Sequence, residues 1–249
     1  MNAVAAAALG ALVEHGVPAL PAYRRALVSA FDRFPPVFGR KAYAELYRRS
    51  ARDPDWVALS LATFAEGEGD GAERLWDLAA CTPDAEVAAQ VQWHAIDEAR
   101  HSRGYVTLLG LIFPEAVDQE LLTQLKALSP GYTRSSPLKA RRGSSYARPA
   151  TVDELIQMNI AEIRTRIQHL FQRPVLLDYC RPERRARVRR ILDSLLLDET
   201  RHIAYTARLI ERAARRSGVE PVMDLMKERV RDFNEITEGE VAGRTLFGA

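Results

Sequence analysis

The chain has 249 residues, with 35 Lys or Arg against 33 Asp or Glu, 47% hydrophobic and 27% charged residues, and a formal net charge of +2. That length is ample for one large domain, and the near-balanced charge argues against a protein wholly devoted to nucleic acid. Cys81 and Cys180 form neither a C-x-x-C pair nor a disulfide framework, so a reducing, cytoplasmic setting is expected. Residues 1–12 are rich in Ala but lack a positive leading segment, and Glu14 and His15 interrupt them, so neither a signal peptide nor a membrane span is read there.

In chain order, Leu9, Leu12, Val13, Leu20, Leu27 and Phe31 predict helix over residues 4–31, broken near Gly16 and Pro18 and ended by Pro35 and Pro36. His15 reads as an exposed or capping histidine. A short helix over 43–49 follows. Asp53 and Pro54 then start a long helix over 55–80, and Pro83 and Asp84 separate it from a second over 85–112. So short a link makes the two an antiparallel pair. Residues 130–150 lose all periodicity and carry Arg134, Lys139, Arg141, Arg142 and Arg148 without an acid. This basic crossover is either a mobile, solvated connection, a lid, or a landing surface for an acidic partner or anionic substrate.

Thr151 and Glu154 have capping-box spacing and open a third long helix, expected to end near Gln172 because Pro174 and Pro182 follow. A fourth helix covers 184–216. Its first turns hold Arg184, Arg185, Arg187, Arg189 and Arg190, read as a solvated face, with nucleic-acid contact the lesser option because no aromatic residues are interleaved. A last helix covers 220–237. The expected fold class is therefore all-α: a single domain with a four-helix bundle over about 55–212 and additional N- and C-terminal helices.

The chemistry lies in a repeated pentapeptide. Asp97-Glu98-Ala99-Arg100-His101 recurs as Asp198-Glu199-Thr200-Arg201-His202, identical at four of five positions. On a helix, Glu and His three residues apart project from one face about one turn apart. Two such helices, with a Glu from each of two others, form the ligand set of dinuclear carboxylate bundles. Glu162 is the candidate on the third helix, sharing a face with Leu155, Met158 and Asn159, while Glu154 lies nearer the solvent end. On the first helix Glu68 and Glu66 compete. Glu68 is preferred because it shares a face with Leu61, Phe64, Ala65, Ala72 and Leu75, whereas Glu66 looks toward Asp70 and Glu73. Gly67, Gly69 and Gly71 weaken that helix and would leave space beside the metals.

Four buried carboxylates would cost several kcal/mol each without partners, and two divalent cations remove that objection. Oxygen and imidazole ligands suit iron or manganese. Asp97 and Asp198 are expected outside the ligand set, each accepting from the histidine of the other motif, with Arg100 and Arg201 pairing to them. Ordinary surface charge is the alternative for these four residues. His94 and His169 are possible additional ligands, proton carriers or hydrogen-bonded core histidines. Tyr105 and Tyr205 are near enough for redox or hydrogen-bonding roles, or serve packing alone.

Over roughly 55–212 these motifs resemble the ferritin-like non-haem diiron carboxylate proteins. The doubled Asp-Glu-x-Arg-His is similar to that of bacterial multicomponent monooxygenase hydroxylases and arylamine N-oxygenases, and residues 198–206 also resemble acyl-carrier-protein desaturases. Arylamine N-oxygenases carry a further histidine four residues before the second-half Glu; here that position is Leu195, and the matching histidine is His94 in the first half. The resemblance implies an O2-activating enzyme with two Fe ions, or Mn or a mixed pair, held by Glu68, Glu98, His101, Glu162, Glu199 and His202 as catalytic residues. It implies O2 as cosubstrate and hydroxylation, N-oxygenation or desaturation of a small organic substrate, free or on an acyl or peptidyl carrier protein. Electrons are expected from an external ferredoxin or reductase, since no G-x-G-x-x-G stands between a strand and a helix. A homodimer is also expected. Alternatives are a diiron tRNA hydroxylase using the basic runs at 134–148 and 184–190, a ferroxidase, storage or manganese catalase-type protein, and a metal-free scaffold.

Overall fold

A computed structural model describes residues 1–243, and the described chain is all-helical. In order the helices are α1 (Ala3–Glu14), α2 (Pro21–Arg33), α3 (Lys41–Ser50), α4 (Pro54–Cys81), α5 (Ala85–Ile112), α6 (Gln119–Ala127), α7 (Val152–Tyr179), α8 (Arg185–Ser217) and α9 (Val219–Gly243). None of the described helices is long and apolar enough to cross a membrane. The chain gathers into two compact units. One comprises Met1–Arg48, Thr151–Gln172 and the described residues from Leu196 onward; the other comprises Arg49–Ala150 and Arg173–Leu195.

The second of these units is built on the α4–α5 hairpin. Asp53 caps α4 by accepting from the Asp55 amide at 3.0 Å, with Pro54 in the first turn where its missing N–H costs nothing. Asp84 caps α5 by accepting from the amides of Glu86 and Val87, both at 3.1 Å. Three glycines in α4 each cost about 1 kcal/mol of helix propensity. The fully buried Leu61 and Trp76 of α4 and Leu108 of α5 each return about 1.5–3 kcal/mol by leaving water, so packing prevails and the helix is unbroken.

Gly69 has a reason of its own. A Cβ at this position would collide with the carbonyl oxygen of Leu128, which rests against α4 there. The space expected beside this glycine is therefore filled by backbone, whereas Gly67 and Gly71 face no such neighbour.

The connection from α5 to α7 differs from its expectation in two respects. Ahead of the 130–150 crossover it forms α6, a nine-residue helix capped by Asp118, which accepts from the Leu121 amide at 2.7 Å. With Leu125 as its buried residue, α6 has too short an apolar stripe to announce itself. Residues 130–150 are irregular yet anchored. Buried Asp77 accepts from the backbone N and the Nε of Arg141, at 2.7 and 2.9 Å, and Arg141 also pairs with Glu73. Tyr132 stacks on Trp76 with ring centres 4.1 Å apart, the Arg134 guanidinium lies 3.9 Å from the Trp93 ring centre, and the Ala150 amide donates to Thr82 Oγ1 at 2.9 Å. The loop has no acid because its acids are on α4. The connection is solvated, as expected, and these contacts tie it to α4 and α5.

In the other unit a buried network joins α2, α7 and α8. Tyr23 donates its hydroxyl to Asn159 Oδ1 at 2.9 Å and its amide to Glu211 Oε2 at 2.9 Å, while Asn159 Nδ2 donates to Thr206 Oγ1 at 2.9 Å. Burial, only partly opposed by the Asn159 bond, holds the Tyr23 phenol well above its ordinary pKa. α2 packs along α9, so the terminal helices complete this core. An apolar cavity of about 1010 Å³ lies among α1, α2 and Met223, lined by Leu9, Leu12, Val13 and Leu20. No predicted ligand lines it.

The capping box at the start of α7 is present: the Thr151 amide donates to Glu154 Oε2 at 2.7 Å and the Glu154 amide to Thr151 Oγ1 at 3.4 Å. α7 does not stop near Gln172 but continues through Pro174 to Tyr179. Pro174 is exposed, and the turn beyond it buries Leu176 and ties the Tyr179 hydroxyl to the Ala51 carbonyl at 3.0 Å, which offsets the lost backbone bond. Gly218, at φ 91°, supplies the left-handed residue that joins α8 to α9.

Candidate metal centre

Helical phase places one triad on the α4–α5 hairpin. His101 is fully buried, and its Nδ1 lies 3.8 Å from Glu98 Oε1 on the same helix and 3.9 Å from Glu68 Oε2 on α4. One ligand atom from each residue falls within 4.8 Å of the others. Glu68 is half-buried and Glu66 exposed, so α4 turns Glu68 and not Glu66 toward His101.

A second triad stands in the other unit with the same construction. His202 Nδ1 lies 3.5 Å from Glu199 Oε2 one turn earlier on α8 and 3.5 Å from Glu162 Oε2 on α7. All three residues are buried. Each triad is thus one Glu-x-x-His turn plus one Glu from a neighbouring helix, with the imidazole Nδ1 facing both carboxylates. Ligand atoms bonded at about 2.1 Å to one ion stand about 3.0–3.4 Å apart, so the Glu68, Glu98 and His101 set closes on an ion through small side-chain adjustments.

The protonation of the first triad fits a cation. Burial acts to raise the pKa of Glu98, but hydrogen bonds with Glu68 and His94 and the charge on the two imidazoles outweigh it, bringing the carboxyl down to about 2. A hydrogen bond between two carboxyls needs one proton, and a cation in that place displaces it. His94 Nε2 lies 2.9 Å from Glu98 Oε1, which makes His94 a partner of the Glu98 carboxylate from the preceding turn.

The remaining predicted residues divide. Asp97 Oδ1 takes Arg100 Nη2 at 2.9 Å, and Asp198 pairs with Arg201 in the same way. Asp198 is buried and Asp97 half-buried, while the side chains of their partners Arg100 and Arg201 are 41% and 47% exposed, so each pair runs from the interior to the surface. His169 is buried on α7, while His15 is the exposed C-cap of α1. Tyr105 is fully buried and stacks on Phe64 at 5.0 Å; Tyr205 stands edge-on to the His202 ring at 6.5 Å and bonds Met158 Sδ through its hydroxyl. Glu154 is committed to its capping box. Sequence reasoning missed Gln172, whose amide is buried on α7 with no hydrogen-bond partner among the described residues. Its signal was a polar residue three positions after His169, on the same helix face. No family model, curated protein or solved structure matches the chain.

Proposed function

We propose that this protein is a ferritin-like, O2-activating dinuclear iron oxygenase or oxidase that hydroxylates, N-oxygenates or desaturates a small organic substrate. The observation that carries this reading is the duplicated triad, with one imidazole Nδ1 and two carboxylates brought together twice by the same local construction. Glu68, Glu98 and His101 would hold one ion; Glu162, Glu199 and His202 would hold the other. Oxygen and imidazole ligands suit iron or manganese in either place.

When bound in its reduced state, an iron pair supplies the electrons for O2 activation. The chain's own residues fix the ligands. His94 holds the Glu98 carboxylate from the preceding turn, the Tyr205 ring edge braces the His202 imidazole, and the Asp97–Arg100 and Asp198–Arg201 pairs balance charge beside each motif. Buried apolar neighbours such as Ala95, Ala99 and Ile203 keep water from the carboxylates. Electrons then come from a separate donor, a ferredoxin or reductase, and the substrate arrives free or on a carrier protein.

The test is metal analysis after anaerobic reconstitution with ferrous iron, followed by rapid mixing with O2. The expected result is two ions per chain and a transient visible absorption that decays faster with substrate present. Trace metal only, or a content unchanged by Glu199→Ala, overturns the reading. Slow iron oxidation without a transient supports a ferroxidase instead.

A further inference from the structure

Five arginines crowd the start of α8, at the helix end where the backbone dipole disfavours positive charge. Their surroundings sort them. Arg184 Nη1 donates to the Leu111 carbonyl in the last turn of α5 at 2.8 Å, and Arg185 Nε donates to the Cys180 carbonyl just beyond α7 at 3.2 Å. These two satisfy carbonyls that their helices leave open. Arg189 is exposed. Arg187 and Arg190, also exposed, line a cavity of about 470 Å³ together with Arg100 and Arg103 of α5. Arg185, Arg187, Arg189 and Arg190 are all exposed, as expected of a solvated face, and two of them also border this cavity.

Four guanidinium groups, three of them on exposed residues, converge on one solvent-accessible cavity and concentrate positive charge there, which an anion among them would offset. Asp97 balances Arg100, and Arg103 donates to the neutral Ser129 Oγ at 2.9 Å. Among the described residues Arg103, Arg187 and Arg190 have no acidic partner. Ser194 Oγ accepts from Arg100 Nη1 at 3.2 Å, which leaves its own hydrogen to donate into the cavity. Ile191 and Leu195 supply an apolar wall.

We propose that this cavity binds the phosphate group of a small phosphorylated molecule. Three uncompensated guanidinium groups suit a doubly charged, three-oxygen anion better than a singly charged carboxylate, and their planar forks match phosphate oxygens in pairs. The volume is that of a small-molecule site, and the apolar wall has room for the ester substituent. No aromatic side chain lines the cavity, so it lacks the stacking platform of a single-stranded nucleic-acid surface. Arg100 lies between Glu98 and His101 in the chain, which puts the anion site on the same turns of α5 as the first triad. The proposal does not depend on the metal reading.

Isothermal titration of the full chain with inorganic phosphate, and separately with ribose 5-phosphate, at constant ionic strength, tests it. A single class of saturable site is expected, with the ester binding more tightly than the free ion. Arg187→Gln/Arg190→Gln should weaken binding about tenfold or more, as loss of charged hydrogen bonds does, while Arg181→Gln/Arg189→Gln, removing equal charge from positions that do not line the cavity, should leave it unchanged. Arg103→Gln provides an independent loss of affinity if the first double variant does not fold. No saturable heat at millimolar phosphate, or equal weakening in both double variants, overturns the proposal. So does tight binding of a single-stranded RNA oligonucleotide that phosphate and its monoester fail to displace.

Discussion

At the level of single residues, the two histidines in the repeated motif are placed alike, through the same ring atom. His101 and His202 each turn Nδ1 toward two carboxylates. We expect Glu98→Ala and Glu199→Ala each to remove at least one bound ion per chain, read by metal analysis after desalting. His94→Ala tests a different role. If His94 acts only by holding Glu98, two ions still bind, with affinity reduced about 10–100-fold, as for loss of a partner behind a ligand; loss of an ion would make His94 itself a ligand. The sequence placed Glu68 ahead of Glu66 because only the former shares the apolar face of α4. It could not separate ligand from supporting histidine for His94, since both roles require the same face of the same helix.

Among the elements, the crossover is where the chain departs most from its sequence reading. Asp77 holds Arg141 by two hydrogen bonds. Burial works to raise the Asp77 pKa, yet the bonds from Ser144 and Arg141 and the Arg141 charge win and hold it below the usual carboxylate range. Its contribution to stability is therefore complete above about pH 3.9, the ordinary carboxylate value, and is lost as pH falls through the lower folded value. Acid titration followed by the fluorescence of Trp76 and Trp93 should show the loop leaving α4 in that window. Asp77→Asn should abolish that step and cost about 1.5–3 kcal/mol at neutral pH. Two helix substitutions should run in opposite directions. Gly69→Ala, favourable by about 1 kcal/mol in propensity, should nevertheless lower the melting temperature because the Leu128 carbonyl occupies the place of the new methyl group. Pro174→Ala should raise it, by up to about 3 kcal/mol of stability, because the proline is exposed and removes a backbone bond from α7.

For the whole molecule, metal binding as proposed would be linked to folding, since buried carboxylates cost free energy that a cation offsets. A chelator should lower the melting temperature, and added ferrous or manganous ion should restore it; an ion at a hundred times its dissociation constant contributes about 2.7 kcal/mol. An unchanged melting curve would leave the triads without an ion to explain them. The long helices, their caps and the doubled Glu-x-x-His were determined by the sequence alone, because periodicity, capping and i to i+3 spacing are local properties of the chain. Only the tertiary structure decided which glycine was needed for a backbone to pass, that α7 outlasts its proline, that the basic loop is tied to acids on α4, and which arginines of α8 meet those of α5. Each of these depends on residues far apart in sequence arriving at one place, and no local pattern records such a meeting.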